Sequence, residues 1–195
     1  MILAAGASTR MGSPKALLTT PDGRPFVAAI VRALLAADVR DIVVVTGFDH
    51  DSVVQAIQRD RPAIQPRFAR NPDPARGQLS SLWTGMDTAV HADTAALMVT
   101  LVDVPLIDPA TVKRVVEEWK RTRAPVVRPA IGSRHGHPVI FDRVVFGELR
   151  DAPLEHGAKT VVRAHSHEVI DVPVTDEGCL VDVDTPQDYE AMRRP

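Results

Sequence analysis

The sequence predicts one α/β domain with a mainly parallel sheet. Short β-branched runs alternate with helical patterns along the whole chain. Two of those runs, "DIVVVTG" and "AALMVTLVDVP", are apolar enough to be buried strands. The 195 residues suit one domain with its own core, and no linker, repeat or low-complexity segment divides them.

The elements follow in chain order. "ILAA" opens the chain as a strand and runs into a loop, "GASTRMGSP". A helix is predicted over 25–37, where Phe26, Val27, Ile30, Val31, Leu34 and Leu35 recur at helical spacing and Pro25 suits the first turn. The strand "DIVVVTG" covers 41–47, and "SVVQAIQ" reads as a second helix with Asp51 as its cap. A weaker strand lies near 64–69, then the loop "NPDPARGQ" and a helix over 79–90. The most hydrophobic stretch, 95–105, is a central strand ending at Asp103. "DPATVKRVVEEWKR" is a helix with Asp108 as cap and Pro109 first. "APVVRPAIGSRHGHPVIF" is a hairpin-like pair of extended runs around a Gly-rich turn. Short helices follow near 142–150 and 158–165, then a strand "EVIDVPV". The last helix, "TPQDYEAMRR", has Thr185 capping, Pro186 first and Asp188 completing a box-like pattern.

Composition narrows the function. A formal net charge of -2 leaves no broad basic surface for nucleic acid. The only cysteine, Cys179, excludes an intramolecular disulfide and a Cys-based metal cage, and suits a reducing cytoplasm. No basic segment precedes a long apolar stretch at the start, and no run is long enough to span a membrane.

The opening loop reads either as an anion holder or as a solvated surface turn. A Gly-rich turn after a strand exposes backbone N–H groups, and Arg10 and Lys15 add charge. Two standard phosphate motifs fail here. Gly6 and Gly12 are one residue too far apart for a Walker A loop, and "GASTRMG" lacks the middle Gly of a dinucleotide fingerprint. Asp103 closes an apolar run before Val104 and Pro105, so it is either a turn former or a ligand at a strand end. Asp184, in "LVDVDTP", has the same two readings and competes with Asp182 and with a cap role. "RGQLSSL" offers small polar groups for a base edge, or helix capping by Gln78, Ser80 or Ser81. His135 and His137 sit two apart, as a metal pair on a strand would, but no cysteine or carboxylate in register completes a zinc site. Trp83 and Trp119 fall on apolar helix faces and read as core, and "HSH" at 165–167 as solvated surface.

The string "LAAGASTRMGSPKALL", Leu3 to Leu18, resembles L-A-[AG]-G-x-S-x-R-M-G-x-x-K-x-L-L, the signature of the nucleotidyltransferases that include molybdopterin cytidylyltransferase and molybdopterin guanylyltransferase. "LVDVPL" and "DVDTPQDYE" resemble that family's metal-binding strand end and its closing segment D-[IV]-D-T-P-x-D. "RGQLSSL" resembles its G-x-x-x-S-L segment beside the base, and "GHPV" the acceptor side of its cytidylyltransferases.

The resemblance implies a three-layer, Rossmann-like nucleotidyltransferase fold across the whole chain. It implies that Leu3, Ala4, Ala5, Gly6, Ala7, Ser8 and Thr9 wrap the nucleotide, that Arg10 and Lys15 meet its phosphates, and that Gly77 and Ser81 lie at the base. It implies Asp103 and Asp184 as ligands of Mg²⁺, Asp182 as a supporting residue, and Arg134 and His137 toward the acceptor. Arg10, Lys15 and Asp103 would carry the catalysis. Relatives usually have several more residues ahead of "LAAG", so a clipped or misassigned start is the expected account of so short a first strand.

The implied reaction joins CMP from CTP to molybdopterin, with a molybdoenzyme or its maturation factor as recipient. Alanine at position 5, where the guanylyl branch reads "LAGG", favours CTP. The same fold on another acceptor, such as a sugar phosphate or methylerythritol phosphate, is the alternative. A non-catalytic nucleotide or cofactor carrier is another, but it need not keep Asp103, Asp184 and Lys15 together.

Overall fold

The computed structural model describes residues 1–8 and 11–194. Its centre is an eight-stranded sheet of order β3-β2-β1-β4-β7-β5-β6, with β8 beside β5. The strands are β1 (Ile2–Ala4), β2 (Val43–Thr46), β3 (Arg67–Arg70), β4 (Ala96–Leu101), β5 (Val126–Ile131), β6 (Arg134–His135), β7 (Val139–Asp142) and β8 (Val169–Pro173). β1, β2, β3 and β4 pair in parallel, as do β5 and β8. Only β6 and β7 run against the rest. The fold is thus the mostly parallel α/β sheet that the sequence predicts.

Period-two alternation splits the core into two layers. Leu3, Val43 and Val45 face one cluster with Leu79, Leu82, Met86 and Leu149, while Ile2 and Val44 face the other with Phe26, Ile30, Leu34 and Ile57. Successive strand side chains point to opposite faces, and here both faces are covered. Helices α3 (Gln78–Ala89), α5 (Phe146–Asp151) and α6 (Lys159–Ala164) cover the first face. Helices α1 (Phe26–Ala36), α2 (His50–Asp60), α4 (Pro109–Thr122) and α7 (Pro186–Arg193) cover the second. Among the described residues, no helix is long and apolar enough to cross a membrane.

Several local expectations shift. Helix α2 starts earlier than "SVVQAIQ" suggests, with Asp49 at its N-cap position, so Asp51 is not the cap but lies in the first turn. There its charge still complements the helix dipole. Pro25 precedes α1 as the N-cap residue, not within its first turn. Strand β4 stops at Leu101, where Val104 N–H turns back onto Leu101 O at 3.3 Å. The hairpin forms around Gly132 (φ +59°), but its return run is divided into β6, paired with β5, and β7, which inserts between β5 and β4. Asp108 accepts from Ala110 N–H at 2.7 Å, and Thr185 and Asp188 form a reciprocal capping box, both as predicted.

Candidate active site

The carboxyl ends of β3, β2, β1 and β4 open into one cavity of about 330 Å³. Open α/β sheets present ligand sites at such an edge. Its walls include Leu3, Ala4, Ala5, Gly6, Ser8, Lys15, Gly77, Ser81, Asp103 and Asp184. Most of the sequence-predicted set therefore converges. Ala7 is exposed and not among the lining residues. Thr9 and Arg10 lie outside the described residues.

The opening loop is folded by its own polar groups. Ser8 holds a positive φ of 49°, its hydroxyl accepts from Lys15 N–H at 3.0 Å, and its carbonyl accepts from Met11 N–H at 2.9 Å. Lys15 opens a single 3₁₀ turn, Lys15–Leu17, and its ammonium reaches Asp103 Oδ2 at 3.3 Å and also pairs with Asp184 Oδ1. Asp103 and Asp184 are brought together by backbone, since Val183 N–H donates to Asp103 O at 2.8 Å. The cap of α7 is Thr185, which leaves the Asp184 carboxylate turned to Lys15 while its N–H donates to Asp188 Oδ2 at 3.1 Å. The two readings of Asp184 from sequence thus separate by atom.

The donor set fits a hard divalent cation. Asp103 Oδ1 is buried without a hydrogen-bond partner among the described residues, a costly state for a carboxylate oxygen that a cation would relieve. One or two carboxylates with further oxygens suit Mg²⁺. No group of three or more His, Cys, Asp or Glu among the described residues is arranged to hold a metal. His135 turns to Asp171 at 3.2 Å instead.

His137 is half-buried beside β4, with Nδ1 3.4 Å from Val99 O. A carbonyl only accepts, so the proton sits on Nδ1 and Nε2 is left as an acceptor. Burial lowers its pKa, opposed by the Val99 bond and by Asp182 and Asp103. Asp182 shifts upward, through burial first and then the charge of Asp103. His137 is therefore close to the carboxylates but outside the cavity wall. Arg134 is not brought to the site: it forks onto Glu177 at 2.7 and 2.9 Å on the exposed β6 turn. Trp83 and Trp119 are structural, as expected, donating to Leu149 O at 2.7 Å and Asp142 Oδ2 at 2.9 Å. His165, expected as solvated surface, holds Glu148 at 2.9 Å and Glu168 at 3.1 Å, which raise its pKa.

Residues 1–169 match the model of the MobA-like NTP transferase domain. The chain belongs to this family. A probable molybdenum cofactor guanylyltransferase of Mycobacterium avium is 27% identical, with 98% of this chain and 93% of that one covered. Nicotine blue oxidoreductase of Paenarthrobacter nicotinovorans is 30% identical, covering 95% and 91%. Among solved structures, Rv0371c of Mycobacterium tuberculosis superposes with a TM-score of 0.82 at 26% identity, covering 98% and 95%. Its manganese complex superposes at 0.75.

Sequence reasoning missed Asn71. It is 4% exposed, and its amide donates to Ser80 Oγ at 2.9 Å and Ser81 Oγ at 3.0 Å while Oδ1 accepts from Asp73 N–H at 2.9 Å. Asn71 thereby ties the loop after β3 to the first turn of α3, where Gly77 turns with φ +96°. Asp49 and Gln78 also line the cavity. An Asn between a strand and a Pro reads as an ordinary turn former, so only the fold marks this one.

Proposed function

We propose that the protein transfers CMP from CTP to the phosphate of a molybdopterin-type acceptor and releases pyrophosphate. The observation that carries this reading is the Lys15 ammonium held between Asp103 and Asp184 at one end of a cleft that is polar and nearly uncharged at the other. A triphosphate suits the charged end and a base the other. The names of relatives such as the Mycobacterium avium protein support a molybdopterin acceptor, and the manganese complex of Rv0371c supports a divalent metal.

In this reading an acceptor phosphate oxygen attacks the α-phosphorus in line. A new P–O bond forms, the bond to the β-phosphate oxygen breaks, and pyrophosphate leaves. Leu3 to Ser8 cradle the nucleotide, with Ala7 following the loop, and Gly77 and Ser81 border the base. Lys15 and Arg10 neutralise the phosphates. Asp103 and Asp184 hold Mg²⁺, which supplies charge neutralisation of the triphosphate and leaving group. The protein orients and screens the reactants and forms no covalent bond to them.

The acceptor enters beyond Asp103, past His137 and Asp182. Arg134 reaches an acceptor only by releasing Glu177. Ala5 lines the pocket and is 4% exposed, and its own backbone lies so close to Gly47 that a Cβ there would come within 2.6 Å of Ala5 O. Its methyl leaves less room for a purine than glycine would, which favours CTP over GTP. A molybdoenzyme or its maturation factor in the cytoplasm is the recipient of the product. The test is pyrophosphate release with Mg²⁺, molybdopterin and either CTP or GTP. Turnover of neither refutes the transferase reading, and preference for GTP refutes the cytidylyl one.

A further inference from the structure

The sheet order grades the cleft. Lys15, Asp103 and Asp184 crowd the side of β1 and β4, whereas Pro74, Gly77, Gln78 and Ser81 form the side of β3. At that side the serines are already engaged. Ser80 Oγ donates to Gly77 O at 2.7 Å and accepts from Asn71 at 2.9 Å, and Ser81 Oγ accepts from Asn71 at 3.0 Å. Gln78 differs. It is exposed on the cavity wall, and its side-chain amide makes no hydrogen bond among the described residues. Nor does it cap its helix, whose N-cap is Gly77 with no side-chain bond. Its backbone is nonetheless fixed, because α3 is tied down through Ser80, Ser81 and Asn71. This is a donor and an acceptor on a rigid mount at the wall of the cleft.

We propose that the Gln78 amide reads the Watson–Crick edge of the bound base. The inference rests on the nucleotide reading above. One amide presents one acceptor and one donor face side by side. Cytosine offers its N4 amino hydrogen beside the N3 lone pair, and guanine offers O6 beside N1–H. The amide meets either edge with two bonds by turning over. Gln78 therefore recognises an edge without choosing between bases, and size selection is left to Ala5.

A carboxylate cannot turn over in this way. Glutamate at the same place only accepts, so it faces guanine N1–H and N2–H with two charge-assisted bonds but confronts the cytosine N3 lone pair. Gln78→Glu is thus expected to move base preference toward guanine, and Gln78→Leu to weaken both nucleotides.

The experiment titrates wild type, Gln78→Glu and Gln78→Leu with CTP, GTP and inorganic tripolyphosphate, each with Mg²⁺, by calorimetry. In Gln78→Glu the CTP:GTP affinity ratio should fall by about tenfold to a hundredfold. In Gln78→Leu both nucleotides should weaken by about tenfold. Tripolyphosphate should bind all three proteins alike, which reports an intact phosphate end. A ratio unchanged in Gln78→Glu, with tripolyphosphate binding intact, overturns the role of Gln78 and leaves the nucleotide reading standing. Wild type that binds tripolyphosphate as tightly as either nucleotide overturns both.

Discussion

Replacing Lys15 with methionine keeps the length of the side chain and removes one ammonium from between two carboxylates. The side chain is 12% exposed and those of Asp103 and Asp184 23% and 41%, so the cluster is screened unevenly by water. At about 4 Å and an effective dielectric of about 20, an ammonium and a phosphate attract by about 4 kcal/mol. After desolvation, a hydrogen bond to a charged group contributes about 1.5–3 kcal/mol net. CTP should therefore bind Lys15→Met about tenfold to a hundredfold more weakly, while cytidine, which has no phosphate, should bind unchanged. The free protein should respond in the opposite sense to metal. The ammonium neutralises the same two carboxylates through Asp103 Oδ2 and Asp184 Oδ1, so its loss should tighten Mn²⁺ binding in the absence of nucleotide by removing a competing positive charge. Calorimetric titration with CTP, cytidine and Mn²⁺ separates the two effects. Equal losses for CTP and cytidine would place Lys15 away from the phosphates. A weaker Mn²⁺ affinity in the variant would show that these carboxylates do not hold the metal.

Four further outcomes are expected. Asp103→Asn and Asp184→Asn should keep the fold by circular dichroism yet lose about a thousandfold or more in pyrophosphate release, since several kcal/mol of charge stabilisation depend on them; near-normal turnover at ordinary Mg²⁺ removes that residue from the site. Ala5→Gly should narrow the CTP preference by about 1–3 kcal/mol or less in competitive turnover with equal CTP and GTP, without fully reversing it, and an unchanged ratio excludes the steric account. A Cβ at Gly136 would lie 2.3 Å from Cys179 O, so Gly136→Ala should cost about 1–3 kcal/mol and lower the melting temperature by roughly 2–4 °C per kcal/mol; a melting temperature equal to wild type would mean the two backbones part freely. His137 has a lowered pKa from burial. Below its unfolded value of about 6.5 the unfolded chain binds the extra proton, so its contribution to stability is present at neutral pH and lost on acidification. His137→Gln should flatten that acid loss in urea titrations between about pH 7 and 5, and parallel curves for the two proteins would disprove the assignment.

The sequence by itself determined the strand and helix order, the two-faced burial of the sheet and most of the pocket. The first two follow from periodicity, because a strand buried on both faces must be apolar throughout and a covering helix must repeat at 3.6 residues. The capping box at Thr185 and the cap at Asp108 were legible for the same reason: each satisfies backbone groups within its own few residues. The loop from Leu3 to Leu18 was legible as a motif, since its glycines and cations act within one short segment.

Only the tertiary structure decided which distant groups meet. Lys15 and Asp184 stand at opposite ends of the chain, and nothing local tells that the hydrogen bond from Val183 to Asp103 brings that carboxylate onto the lysine. The resemblance puts Arg134 toward the acceptor, but Glu177 takes it, and Asn71 reads as a turn former but ties the loop after β3 to α3. Asp51 is the cap that the sequence suggests, whereas the folded α2 begins directly after Asp49. Periodicity reports the face a residue occupies, whereas the partner of a charge is set by how the elements pack across the sheet.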